Sequence, residues 1–180
     1  MSEDKSPSRD VDALRRSLPF RFGVGAVIFN DQGLVWIGCR LPKPGQDITD
    51  YWQMPQGGID DDEDPEVAVI REVAEETGTD KVEVIAETPD WIDYDLPDDL
   101  IGVSWGGKYR GQRQKWYALR FTGTDNDFDL SAHAKPEFSE WRWEELDALP
   151  GMIVPFKRTL YKEVVRAFRE LPERVRGENQ

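Results

Sequence analysis

The stretch DPEVAVIREVAEETG, Asp64–Gly78, constrains the fold more than any other part of the chain. Asp64 suits a helix N-cap, Pro65 the first helical position and Gly78 the left-handed position that ends a helix, so the pattern predicts a helix over Pro65–Thr77. Stepping at ~100° per residue puts Glu72, Glu75 and Glu76 on one face and Val67, Ile70, Val73 and Ala74 on the other. The apolar side is expected to lie on a core. Ala68, one turn before Glu72, is expected to leave room beside the acidic face for a ligand.

That acidic face is locally unfavourable. Glu72 and Glu76 are like charges four residues apart, worth a few tenths of a kcal/mol of repulsion on an exposed helix. Glu75 and Glu76 also stand in the last turn, where the helix dipole disfavours negative charge. Arg71 can pair with Glu75 but cannot neutralise three carboxylates. A hard divalent cation can, and Mg2+ or Mn2+ would keep coordination positions for phosphate oxygens. A solvated acidic surface is the plainer reading of a Glu-rich helix. The preceding segment tips the balance, because Gly57 and Gly58 permit close backbone approach, Pro55 stiffens the entry and Glu63 adds a further carboxylate.

The flanking sequence supplies a sheet. FGVGAVIF (Phe22–Phe29), a turn at Asn30–Gly33 and LVWIGCR (Leu34–Arg40) read as a hairpin. LPKPGQDITD (Leu41–Asp50) reads as loop. KVEVIAET (Lys81–Thr88) and KWYALRF (Lys115–Phe121) alternate as strands, and EWRWEEL gives a short strand with Trp141 and Trp143 on one side. Phe156, Leu160, Val164, Phe168 and Leu171 form an apolar stripe at helical spacing. With no repeated βαβ unit, the expected architecture is α/β: a mixed sheet with helices packed on it, in a single domain. Residues 19–171 are assigned to that domain, 1–18 to a flexible polar leader and 172–180 to a polar tail. The formal net charge of −13 opposes a broad grip on nucleic-acid backbone, DNA included, but not capture of one phosphorylated end. A single cysteine, Cys39, precludes an internal disulfide and favours a reducing, cytoplasmic setting. No apolar run is long enough to span a bilayer, so no membrane association is expected.

The spacing Gly57-x5-Glu63-x7-Arg71-Glu72-Val73-x-Glu75-Glu76-x-Gly78 resembles the Nudix hydrolase box, departing from it only at Thr79, where an aliphatic residue is usual. YWQMPQGGID, RQKWYAL, PEFSEWRW and VPFKR are similar to the subgroup of bacterial RNA pyrophosphohydrolases and dinucleoside tetraphosphate hydrolases. The resemblance implies an α/β/α sandwich, Mg2+ dependence and hydrolysis of a nucleoside polyphosphate. On matching positions it implies that Glu72, Glu75, Glu76 and the Gly57 carbonyl bind metal, with Glu137 of PEF as a distal ligand or base. Arg71 would orient the carboxylates and Glu63 would bond to Arg71. Glu76 and Glu137 are the candidate proton acceptors. Arg40, Tyr94, Phe156 and Lys157 match positions lining the nucleotide and phosphate cleft.

Within KYRGQRQK (Lys108–Lys115), four basic residues stand without an acid, and this island, Lys115 included, is either a solvated hairpin tip or a guide for RNA and polyphosphate. Trp141 and Trp143 are expected to pack on the sheet, His133 to lie in a polar loop without a catalytic role, and Cys39 to be a buried thiol. The leading expectation is removal of pyrophosphate from the 5′-triphosphate end of RNA, with cleavage of dinucleoside polyphosphates as a second activity. A hydrolase dedicated to diadenosine tetraphosphate is the alternative, and a nucleotide-sensing binding module a more distant one.

Overall fold

The computed structural model describes residues 7–42 and 51–179. The loop expected over Leu41–Asp50 lies, from residue 43 on, outside the described residues. The chain enters through helix α1 (Pro7–Ser17), so the segment expected to be a flexible leader is helical from Pro7. Strands β1 (Phe20–Phe29) and β2 (Val35–Arg40) form the expected hairpin. Its turn is set by Asn30, whose side chain accepts the N–H groups of Gln32 and Leu34, and by Gly33 at φ 74°.

β1 runs parallel to β7 (Gly111–Phe121) along its whole length, from Phe20↔Gly111 to Phe29↔Arg120. Every other pairing is antiparallel. β3 (Trp52–Gln53) and β8 (Phe138–Glu144) flank β2, β4 (Gln56–Gly58) pairs with β1, and β5 (Val82–Glu87) and β6 (Ile92–Asp95) pair with β7. The sheet is therefore mixed. β1 is central because it is apolar on both sides: Val24, Ala26 and Ile28 enter one core, Val27 and Phe29 the other.

Helix α2 (Pro65–Thr77) covers the first face, with Ala68, Val69 and Val73 packed beside Ile28, Leu119 and Phe121. Helices α3 (Arg158–Ala167) and α4 (Leu171–Gly177) cover the second through Leu160, Val164, Leu171 and Val175. The result is an α/β/α sandwich. The apolar stripe read as one final helix is broken after α3, because Pro172 has no N–H to continue the ladder and instead sits in the first turn of α4. The expected polar tail is accordingly helical to Gly177 and buries Val175. Phe156 lies ahead of α3 in a 3-10 turn, Pro155–Lys157.

The buried side of α2 also differs from the expected one. Val67 is 59% exposed, whereas Ala68 is fully buried and leaves no room for a ligand. The reason is the direction of Glu76. It turns inward with Val69 and Val73, so the core side is rotated toward the acidic edge and Val67 is carried out to solvent. Trp141 and Trp143 pack around Phe128 on the α2 face, with ring centroids 4.6 and 5.7 Å away.

Candidate active site

Two caps fix α2 where the sequence places them. The Asp64 carboxylate accepts the Glu66 N–H at 2.9 Å, and Gly78 at φ 81° returns its N–H to the Ala74 carbonyl at 3.0 Å. The double glycine is strand rather than turn: Gly23, Val24 and Gly25 of β1 lie opposite Gly58, Gly57 and Gln56 of β4. A Cβ on Gly57 would meet the Glu72 carboxylate at 2.0–2.3 Å, so the absence of a side chain lets Glu72 rest against the strand backbone. The clash falls on the far end of a flexible side chain. Gly57→Ala is therefore expected to fold with little change in melting temperature and to displace Glu72, lowering turnover about a hundredfold. Steady-state rates alongside a thermal melt check both halves, and unchanged turnover would show that Glu72 need not touch this strand.

Arg71 ties the segment together. Its Nε and Nη2 donate to the two Glu63 oxygens, both at 2.8 Å, and Nη2 also donates to the Gly58 carbonyl at 2.9 Å. Nη1 donates to Glu72 Oε1 at 2.9 Å and more weakly to Glu75 at 3.4 Å. Glu63 further accepts the Asp60 N–H. Bonding to Arg71, then to Asp60, holds the Glu63 carboxyl down to about 2.

Glu76 has the opposite environment. It is 9% exposed and accepts the Gln56 N–H at 3.2 Å. Burial, then the charges of Glu72 and Glu137, push its carboxyl well above the usual range. Burial likewise raises Glu72, against the pull of Arg71. Glu72, Glu76 and Glu137 thus share one field, though Glu137 comes from the far side of the sheet, immediately before β8.

The acids meet a cleft of about 500 Å3 whose lining includes Gly57, Glu72 and Glu137 together with Arg21, Arg40 and Lys157. Tyr94 and Phe156 also line it, their ring centroids 6.1 Å apart, and the Lys157 ammonium sits 5.3 Å from the Tyr94 centroid. Lys157 is only 7% exposed, a strongly held cation at the acidic end. The sheet opens here because β1 pairs with β2 at one end and β4 at the other, while β7 does the same with β5 and β6.

Of the five residues expected to bind substrate, Arg40, Tyr94, Phe156 and Lys157 line the cleft and Lys115 does not. Gln112, Gln114 and Trp116 alternate toward the cleft side of β7, so Lys115 points to the opposite face and approaches Glu87 at 3.9 Å. The basic island around it is also largely paired. Arg110 chelates Asp95 and Arg113 chelates Asp93, each through two hydrogen bonds, so these cations are not an open guide for RNA. Glu75 is 38% exposed and turned to Arg71. His133 is exposed and Cys39 buried.

Arg21, Gln53, Gln56, Trp105 and Gln112 line the cleft without having been singled out. A buried amide chain supports two of them: Trp116 Nε1 donates to Gln114, whose Nε2 donates to Gln56 and Gln112. That chain fixes Gln56, which in turn holds Glu76. Arg21 had a legible signal, a lone cation on the same strand side as Gly23 and Gly25. The glutamines had none, because Gln56 of β4 and Gln112 and Gln114 of β7 are brought together only by the registers of those two strands on β1.

Among the described residues, no three Asp, Glu, His or Cys side chains stand gathered as a finished metal cage. Arg71 holds Glu72 and draws on Glu75, while Glu76 is anchored to Gln56. The donor set nevertheless fits a hard divalent cation. It is all oxygen, it is crowded enough to raise Glu76, and the glycine backbone carries no side chain that would block approach. A divalent cation would relieve the repulsion that the protein leaves uncompensated.

A NUDIX domain model matches residues 19–164. An RNA pyrophosphohydrolase from Gluconacetobacter diazotrophicus is 53% identical over 154 residues, 84% of this chain and 92% of that protein. One from Brucella melitensis is 48% identical over 179 residues, 95% of this chain and 99% of its own. Among solved structures, the dihydroneopterin triphosphate pyrophosphohydrolase of E. coli superposes with a TM-score of 0.57 at 18% identity, covering 81% of this chain and 96% of that one. An Ap4A hydrolase from C. elegans gives 0.53 at 18% identity, covering 80% and 96%. At that identity the two structures speak for the fold alone. The family model and the curated relatives span the capped helix, the glycine strand and the cleft, and by them this chain belongs to the Nudix family.

Proposed function

We propose that this chain is a Mg2+-dependent pyrophosphohydrolase that removes pyrophosphate from 5′-triphosphate RNA ends and also hydrolyses dinucleoside polyphosphates. The observation that carries the reading is the meeting of Glu72 and Glu137, with Glu76 buried in their field, and Arg21, Arg40 and Lys157 in one cleft. A polyphosphate is itself acidic and needs both cations along its length and a bridge to the carboxylates. The names of the curated relatives and their near-complete coverage support the substrate class.

Glu72, Glu75, Glu76 and Glu137, with the Gly57 carbonyl, are the groups that would hold Mg2+. When bound, the ion would supply charge neutralisation and a water made more acidic. The chain's own residues do the rest. Arg21, Arg40 and Lys157 hold phosphate oxygens, while Phe156 and Tyr94 offer a surface for a base. Glu76 or Glu137 would accept the proton of the attacking water. Arg71 and Glu63 keep the helix edge in register with β4. Because Arg110 and Arg113 are spent on aspartates, contact with RNA is confined to its end. A cytoplasmic setting, where such substrates occur, fits this reading, and no helix among the described residues is long and apolar enough to cross a membrane.

The test offers triphosphate-ended RNA and diadenosine tetraphosphate separately, each with Mg2+. Pyrophosphate release from RNA at a rate comparable to or above dinucleotide cleavage is expected. Release far slower than dinucleotide cleavage would instead indicate a dedicated dinucleoside polyphosphate hydrolase, and tight binding without hydrolysis of either would indicate a sensing module.

A further inference from the structure

Between β6 and β7 a loop carries Trp105 into the same cleft as Glu72 and Phe156. Trp105 has φ 52° and ψ 38°, the left-handed region that a bulky side chain rarely occupies, and Gly106 and Gly107 continue it at φ 67° and 74°. The loop is not slack. Arg15 of α1 donates to the Leu96 carbonyl at 3.1 Å and to Asp98 at 2.7 Å, the Leu96 N–H returns to the Arg110 carbonyl at 2.7 Å, and Ile101 is buried.

Packing does not account for the tryptophan. Trp105 belongs to neither apolar core, and among the described residues its ring partner is Tyr109, 6.3 Å away and edge-on. The Arg21 guanidinium lies 5.6 Å from its ring centre, and Arg21 lines the cleft beside it. A glycine would take this backbone without strain. A strained, half-buried indole presented to a cleft by a fixed loop is the arrangement of a contact surface held ready for a flat ligand.

We propose that Trp105 stacks on a nucleobase, specifically that of the second nucleoside of a dinucleoside polyphosphate, with Arg21 holding the phosphates next to it. This rests on the polyphosphate reading given above and extends it. Phe156 and Tyr94 serve one base and Trp105 the other, with the cationic and acidic groups between them acting on the phosphate chain.

The test compares wild type with Trp105→Gly and Trp105→Asn, both replacements that tolerate a left-handed backbone. Each is measured for the KM of diadenosine tetraphosphate and for the Ki of inorganic tripolyphosphate, which has no base, as a competitor. Melting temperatures of both variants are expected to equal or exceed that of wild type. The KM is expected to rise about tenfold in both, the usual scale of one base stacked on one aromatic, with Ki unchanged. Trp105→Phe should restore most of the affinity. Equal shifts in KM and Ki would reduce Trp105 to a prop for Arg21, and no shift in KM would remove it from the site; either result overturns the proposal. Failure of wild type to hydrolyse diadenosine tetraphosphate would overturn the dinucleotide reading itself, and this proposal with it.

Discussion

Glu76→Gln is expected to lower turnover by about a thousandfold while the metal-free protein melts a few degrees higher, about what ~1–2 kcal/mol gives in a chain of this size. The two effects have one cause. Glu76 is buried beside Glu72 and Glu137, so its charge is held against desolvation and against two like charges. The amide keeps the shape of the carboxylate, and its oxygen can still accept the Gln56 N–H now bonded at 3.2 Å. What disappears is the charge, and with it both the repulsion and the group assigned to cation binding or proton transfer. The sign follows from the raised carboxyl: its ionised form destabilises the fold, and that penalty grows as pH rises from the ordinary carboxylate range toward the folded value. Calorimetry in chelator, repeated with Mg2+, gives the second half of the argument. Mg2+ should raise the melting temperature of wild type more than that of Glu76→Gln. A variant that melts lower in chelator, or that keeps wild-type turnover, would remove Glu76 from the centre of the site.

The helix and its caps were legible because their signals are local. Asp64, Pro65 and Gly78 act on backbone within a turn of themselves, and the structure places the helix end to end where those residues imply. Which side of that helix is buried was less legible. Periodicity gives the apolar direction, but Glu76 turns inward to accept the Gln56 N–H, and Gln56 comes from another part of the chain. Lys115 fails for a related reason. It ends a run rich in basic residues, yet strand alternation on β7 sends it away from Gln112 and Gln114. Arg110 and Arg113 looked like an unopposed basic island, and their partners Asp93 and Asp95 stand on a strand the sequence reading did not identify. The acidic box was readable as a motif. Of the cations in the cleft, Arg40 and Lys157 were readable through the resemblance, and Arg21 needed the sheet.

Arg71→Ala is expected to lower the melting temperature clearly, because it strips one donor from several carboxylate and carbonyl oxygens at once. The arginine donates to both Glu63 oxygens, to the Gly58 carbonyl and to Glu72, and the alanine leaves all of these without that donor at once. Arg71→Lys should recover little, since an ammonium cannot form the two parallel bonds to Glu63 and still reach Gly58 and Glu72. Chemical denaturation between about pH 3 and 7 separates this from a general loss of packing. In wild type the Glu63 carboxyl is held at about 2, so its contribution is fully present above the ordinary carboxylate range and is lost as pH falls toward that value. Without Arg71 the largest cause of that depression is gone, and the acid limb of the stability curve should flatten. Glu63→Gln should flatten it in the same way, with a smaller loss at neutral pH because Arg71 keeps Gly58 and Glu72. If Arg71→Lys matched wild type in both stability and acid slope, the fork geometry would be irrelevant and a single point charge would be enough to hold the box together.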